Sequence, residues 1–220
     1  MDVTRLEETL ARRYSMAKRA EARDSTRQSL LAAATQLMMD KGTANITMLA
    51  VAELANVAPR TAYNHFASVD ALLAAVMATI NEEFSALAPA PVDTVEVSPE
   101  RVLRELVAQW FDELTKQDSR LSALITIRDS AELDEALATA RELRIQRVRP
   151  VLALAEERGQ LRVPLDDAVA MAYVQTSYQC WVALVRQLGM SSPDAAELVT
   201  SSIAAFAFKR RPRRAGVGAG

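Results

Sequence analysis

The chain contains a single cysteine, Cys180, so no disulfide can form within it. Its single histidine, His65, leaves too few soft ligands for a structural zinc site, and neither a metal nor a cofactor is expected. Before the C-terminal tail there are only Gly42, Gly159 and Gly189, from which neither a P-loop nor a dinucleotide fingerprint can be built. That shortage argues against a nucleotide-dependent enzyme. Long apolar runs are also missing. Each is broken by polar residues well before the roughly 18 needed to span a bilayer, and the N-terminal MDVTRLEETLARR has no apolar segment behind its charges. No membrane partner is expected, and the cytoplasm is the expected compartment.

Aromatic residues are scarce too, at 5%, whereas half of the residues are hydrophobic. The bulk is Ala, Leu and Val interleaved with Glu and Arg, a composition that favours helix over sheet. The expected fold is all-α. A chain of 220 residues suits one or two domains and buries about 70% of its unfolded surface. Net charge is −2, but it is unevenly spread. Residues 1–66 carry 9 Lys+Arg against 7 Asp+Glu, residues 67–208 carry 12 against 21, and residues 209–220 carry 5 against none. Basic ends flanking an acidic middle hint at nucleic-acid contact at the ends, although charge runs are more often solvated faces.

Residues 1–24 read as a mixed-charge helical extension with a thin apolar stripe of Leu6, Leu10 and Tyr14. A firmer helix is expected from Ser25 to Asp40, ending at Lys41-Gly42. Thr47 can cap a short helix that ends near Ala55-Asn56, because asparagine tolerates the left-handed conformation. Pro59 suits the first position of a second short helix of about two turns. Ser68-Val69-Asp70 opens a long amphipathic helix with Leu72, Leu73, Val76, Ile80, Phe84 and Leu87. The proline-rich segment from Ala88 to Pro99 is expected to be a loop, and helices follow near 99–117, 119–128, 130–158, 166–189 and 192–208. Pro150 is expected to kink or break the third of these. The tail KRRPRRAGVGAG reads as a basic disordered end or a nucleic-acid arm.

Two short helices joined by a tight turn form a helix-turn-helix, with the helix from Ser25 as support. Placed at 100° intervals, the second helix divides in two. Pro59, Ala62, Tyr63 and Phe66 form an expected packing face; Arg60, Thr61, Asn64 and His65 form a face of the kind that reads base edges. The Tyr63 hydroxyl can reach a phosphate from the seam. His65 alone could be a general base, but no cysteine or paired carboxylate shares its helix, so DNA contact is favoured over catalysis.

The segment TMLAVAELANVAPRTAYNHFASVDALLAAV resembles the DNA-binding domain of TetR-family transcriptional regulators over about 50 residues, Arg27 to Met77. The resemblance rests on the capping Thr47, the Val51-Ala52 pair, Ala55-Asn56-Val57, the Thr61-x-Tyr63-x-x-Phe66 pattern and Ser68-x-Asp70-x-Leu72. It implies that the second short helix lies in the major groove, with Thr61, Tyr63 and Phe66 at its matching positions and Thr47 at the matching phosphate-contacting start of the preceding helix. Three positions depart from the pattern: Asn56 replaces a turn glycine, Ala58 a capping serine, and Val69 a lysine that contacts phosphate. DNA binding is then expected to lean on other cations, namely Arg60, the N-terminal arm (Arg12, Arg13, Lys18, Arg19 and Arg23) and the tail from Lys209 to Arg214.

The expected organisation is an extension over 1–24, a three-helix DNA-binding domain over 25–67, a helical ligand-binding and dimerisation domain over 68–208, and a tail over 209–220. The later helices match the family's variable domain by layout and length. Candidate ligand-contacting residues are Trp110, Phe111, Arg128, Met171, Gln175, Tyr178, Gln179 and Trp181, with Tyr173 beside them. Their character suits a hydrophobic or aromatic small molecule better than an anion. Cys180, among Tyr173, Tyr178 and Trp181, is expected to be a packed thiol. Apolar surfaces on the last two long helices (Val169, Ala172, Thr176, Ala183, Leu184, Ala195, Leu198, Val199, Ile203 and Phe206) suggest a two-fold four-helix interface between copies of the chain. A homodimer would place two reading helices about 34–36 Å apart on one DNA face and so select an inverted-repeat operator. The expected function is a homodimeric repressor released from double-stranded DNA by a small-molecule effector. A transcriptional activator, a ligand-independent or nucleoid-type DNA binder, and a helical enzyme or carrier are the alternatives, and no catalytic constellation can be assembled for the last.

Overall fold

A computed structural model of the chain describes residues 3–41, 46–87, 98–127 and 130–209; for residues 3–15 and 41 it describes the backbone alone. Among the described residues the architecture is all-α, with a single antiparallel bridge, Leu161 to Phe208, as the one extended pairing. The helices are α1 (Val3–Lys41), α2 (Met48–Leu54), α3 (Pro59–His65), α4 (Val69–Ser85), α5 (Pro99–Leu124), α6 (Ala131–Glu157), α7 (Leu165–Gln175), α8 (Tyr178–Trp181) and α9 (Ser192–Ala207). A π-helical turn, Val182–Gln187, extends α8. The expected Leu6-Leu10-Tyr14 stripe, the Gly42 cap, most of the Ala88–Pro99 loop, Arg128 and the tail beyond Lys209 lie outside the described residues or side chains.

Four helix boundaries differ from the expectations. No break separates the extension from the supporting helix: α1 runs through Ser25 for 39 residues. Thr26 and Ser29, potential caps by residue type, donate instead to the carbonyls of Ala22 and Ser25 one turn back, which lets the helix continue. The helices expected at 99–117 and 119–128 are one helix, α5, because nothing in Gln117-Asp118-Ser119 stops a helix. Of the kink or break expected at Pro150, the break is excluded, because α6 continues through it. The helix expected over 166–189 is interrupted at Thr176-Ser177, where the Ser177 hydroxyl caps α8 by accepting the Cys180 N–H at 3.2 Å.

The chain forms two compact units, Met1–Ile80 with Ser119–Leu137, and Asn81–Asp118 with Ala138–Gly220. The first unit's core takes Leu30, Ala34, Leu37 and Met38 from α1, Val51 and Ala52 from α2, Ala62 from α3, and Leu72, Val76 and Ile80 from α4, all buried. Beyond these, residues 16–25 of α1 are exposed on every side, so this part of the helix has no core of its own.

In the second unit α7 packs on α9, and small residues there allow close approach: Ala168, Ala172 and Ala195 are fully buried. Lys209 N–H donates to the Gln160 carbonyl and Arg162 N–H to that of Ala207, tying the end of α9 to the turn before α7. This packing corrects the expected interface surface. Val169, Ala172, Thr176, Ala195, Val199 and Ile203 are buried within the unit itself, because the two helices cover one another's apolar faces. Leu198 remains half exposed, and Val174 is more so.

Candidate functional site

The first unit positions a short helix with very little machinery. Thr47 sits in extended backbone and its hydroxyl accepts the Ala50 N–H at 3.2 Å, starting α2. Asn56 then enters the left-handed region at φ 53°, which reverses the chain within the turn. Pro59 begins α3 at its first position, and Ala58 before it supplies no side-chain cap. The α3 helix is seven residues long, too short to be stable alone, so tertiary contacts must hold it.

Those contacts come from two residues. Ala62 is fully buried and Phe66 nearly so, while the Arg27 guanidinium of α1 lies 4.5 Å from the Phe66 ring centroid. The expected packing face is therefore narrower than the helical wheel suggests, because Pro59 and Tyr63 are exposed, Tyr63 by 57%. A two-turn helix needs only one buried i, i+4 pair, and Ala62 and Phe66 supply it. The solvent face holds Pro59, Arg60, Tyr63 and Asn64, with Thr61 and His65 half-buried at its margins and Thr47 exposed at the start of α2. These side chains offer a cation, an amide, a phenol and hydroxyls. Ser68 caps α4 by accepting the Ala71 N–H at 2.9 Å, so the helix start is intact with the uncharged Val69 at its first position.

The second unit distributes the aromatic candidates unevenly. Phe111 is fully buried, and Trp110, Tyr178 and Trp181 are nearly so. The Trp110 indole donates to the Thr176 carbonyl at 3.0 Å, stitching α5 to the interruption after α7, and its ring lies 4.3 Å from that of Phe84. Tyr178 stacks on Trp181 and donates to an Asp118 carboxylate oxygen at 2.7 Å; the other oxygen accepts from Arg186 of the π-helical turn. Met171 and Gln175 are half-buried and contact one another, whereas Gln179 is exposed. Cys180 is partly buried, and desolvation pushes its thiol pKa up, away from the reactive thiolate.

Two residues missed in the sequence stand beside Trp110. Arg144 and Arg147 of α6, with Leu106, Trp110, Val148 and Thr176, line a narrow, partly open seam that leaves no water-sized void between its atoms. Burial lowers the pKa of both guanidiniums, with Tyr173 opposing the shift at Arg144. Arg147 donates to the carbonyls of Phe84 and Leu87, closing the C-terminal end of α4. Arg144 lies 4.5 Å from the Tyr173 ring centroid, and its Nε is buried without a hydrogen-bond partner. The signal was present in the sequence: Arg144 occupies the same stripe as the buried Val148, Val151 and Ala155, where an unpaired charge is out of place.

Residues 30–76 match the family described as "Bacterial regulatory proteins, tetR family". Over 191 residues the chain is 31% identical to the HTH-type transcriptional regulator TtgR of Pseudomonas putida, covering 81% of this chain and 87% of the relative. Its fold resembles NalD of Pseudomonas aeruginosa, the secondary repressor of the MexAB-OprM multidrug efflux pump: TM-score 0.67, 20% identity, 89% of this chain and 100% of the other covered. It also resembles SmeT, the repressor of the Stenotrophomonas maltophilia efflux pump SmeDEF, at TM-score 0.66 and 20% identity, covering 84% and 93%.

Proposed function

The chain belongs to the TetR family of bacterial DNA-binding transcriptional regulators, and from that premise we propose that it is a homodimeric repressor released from an inverted-repeat operator by a small, largely apolar effector. The reading face of α3 carries the DNA half of this reading. Pro59, Arg60, Tyr63 and Asn64 are exposed together on a helix pinned by Ala62 and Phe66, which suits insertion into a major groove. Thr47 and Thr61 flank that face and suit phosphate contact. His65, half-buried at its margin, would be a lesser contact.

The second unit is the proposed effector domain. Trp110, Tyr178 and Trp181 supply apolar surface, and the seam beside Trp110 is the place where a ligand would wedge α5, α6 and the end of α7 apart. Phe111, Met171 and Gln175 would form supporting wall; Gln179 would contribute from outside it. The helix α4 begins directly after the reading helix and continues into the second unit, making it the natural lever. NalD and SmeT, two proteins with this fold, are repressors of multidrug efflux pumps, and an apolar effector suits that kind of regulator. Dimerisation would use the outer faces of α7 and α9, including Val174 and Leu198, and such a regulator would work in the cytoplasm, where the chromosome is.

Effector and operator would oppose one another by a coupling of about 1–3 kcal/mol, equal in both directions. Mobility shift on the DNA flanking the gene, with and without apolar compounds, tests this. Specific retardation of an inverted repeat that a compound reverses is expected. Absence of binding to every nearby inverted repeat would overturn the reading.

A further inference from the structure

We infer that Arg144 is an anchor for a negatively charged group, so that the site in the second unit takes an apolar or aromatic molecule bearing a carboxylate. This deepens the effector reading above and rests on it. A guanidinium on the core side of an amphipathic helix is costly unless an acid or a set of acceptors compensates it. At Arg144 the acting groups are Tyr173, which offers its ring and a side-chain hydrogen bond, and the Arg141 guanidinium, and no carboxylate acts on it among the described residues. Its neighbour Arg147 is committed to the carbonyls of Phe84 and Leu87. Arg144, half-buried, has its guanidinium carbon over the Tyr173 ring, and its Nε is buried without an acceptor.

That geometry suits a bound acid. An aromatic ring under the guanidinium restricts its position, and the edge that carries Nε is the part of a guanidinium that pairs with a carboxylate through parallel N–H donors. The apolar part of the seam, beside Arg147 and Thr176, is Leu106, Val148 and the Trp110 ring, which suits the apolar body of the same molecule. The seam's atoms leave no water-sized void, so head group and body alike must part the side chains around it.

The test is isothermal titration calorimetry of the full chain with 1-naphthoate, 1-naphthamide and 1-naphthylmethylammonium, three probes of similar shape and different charge. Naphthoate is expected to bind roughly tenfold or more tightly than the amide, and the cation most weakly. Arg144→Gln should abolish the preference for the acid, and Arg144→Lys should retain part of it. Far-UV circular dichroism checks folding, and Arg144→Met, which keeps the stem's apolar contacts, replaces the Gln variant if that one unfolds. Equal affinity for acid and amide, or an intact acid preference without Arg144, overturns the anchor and leaves the effector reading standing. Binding of none of the three also overturns it; the effector reading then stands or falls separately, on whether neutral apolar compounds release the chain from DNA.

Discussion

Removing the contact between Arg27 and Phe66 should loosen the reading helix without touching any group that faces DNA. The α3 helix has one buried stripe, Ala62 and Phe66, and Phe66 ends it as the C-cap residue in extended backbone. The Arg27 guanidinium lies 4.5 Å from the ring centroid on a half-buried side chain, a setting worth about 0.5–1 kcal/mol. Arg27→Ala should cost that amount plus the packing of its stem. Phe66→Leu should cost the same interaction plus about 1 kcal/mol for the altered core. Because both single changes delete one shared contact, the double variant should be less destabilised than their sum by about 0.5–1 kcal/mol. Thermal unfolding resolves this, since 1 kcal/mol shifts the midpoint by about 2–4 °C in a chain of this size. Mobility shift on the operator should weaken in parallel for both single variants. A coupling of zero would mean that Arg27 merely lies over the ring, and α3 would then owe its position to Ala62 and the turn alone.

Asn56→Val should destabilise by about 1–2 kcal/mol, because a β-branched residue at φ 53° is strained, whereas Asn56→Gly should be near neutral in thermal unfolding. Tyr63→Ala and Asn64→Ala should leave the unfolding midpoint nearly unchanged and weaken operator binding, since both side chains are exposed; a matching loss of stability would place them in the core instead. A chain beginning at Ser25 should bind its operator more weakly and with a shallower salt dependence, each lost phosphate contact lowering the slope by about 1. An unchanged slope would remove Lys18, Arg19 and Arg23, all exposed on α1, from DNA binding.

Local rules made the reading half of the molecule legible. The Thr47 cap, the left-handed Asn56, Pro59 at a helix start and the Ser68 cap are each decided by one residue and its immediate neighbours, and all four are found where the residue types place them. The wheel of α3 was harder to read, because a projection assigns Pro59 and Tyr63 to a side without saying how wide a partner covers it. Ser25 to Ser29 shows a related limit. The same hydroxyls that cap a helix start also bond back to a carbonyl one turn earlier, and the surrounding Ala, Glu and Arg decide which occurs.

Distant partners made the second half less legible. Thr176 and Ser177 interrupt an apolar stretch that reads as one long helix. At that interruption the Trp110 indole, from 66 residues earlier in the chain, holds the Thr176 carbonyl while Ser177 restarts the backbone as a cap. Arg144 shows the reverse failure. It looks like one more surface charge in RELRIQRVRP until its position is counted against Val148, Val151 and Ala155, and then it stands on the buried stripe. A core-facing arginine costs the fold more than a leucine there would, so its presence calls for a compensating partner. The Tyr173 ring lies under the guanidinium while Nε has no acceptor, and that unmet donor is what a ligand's carboxylate would satisfy.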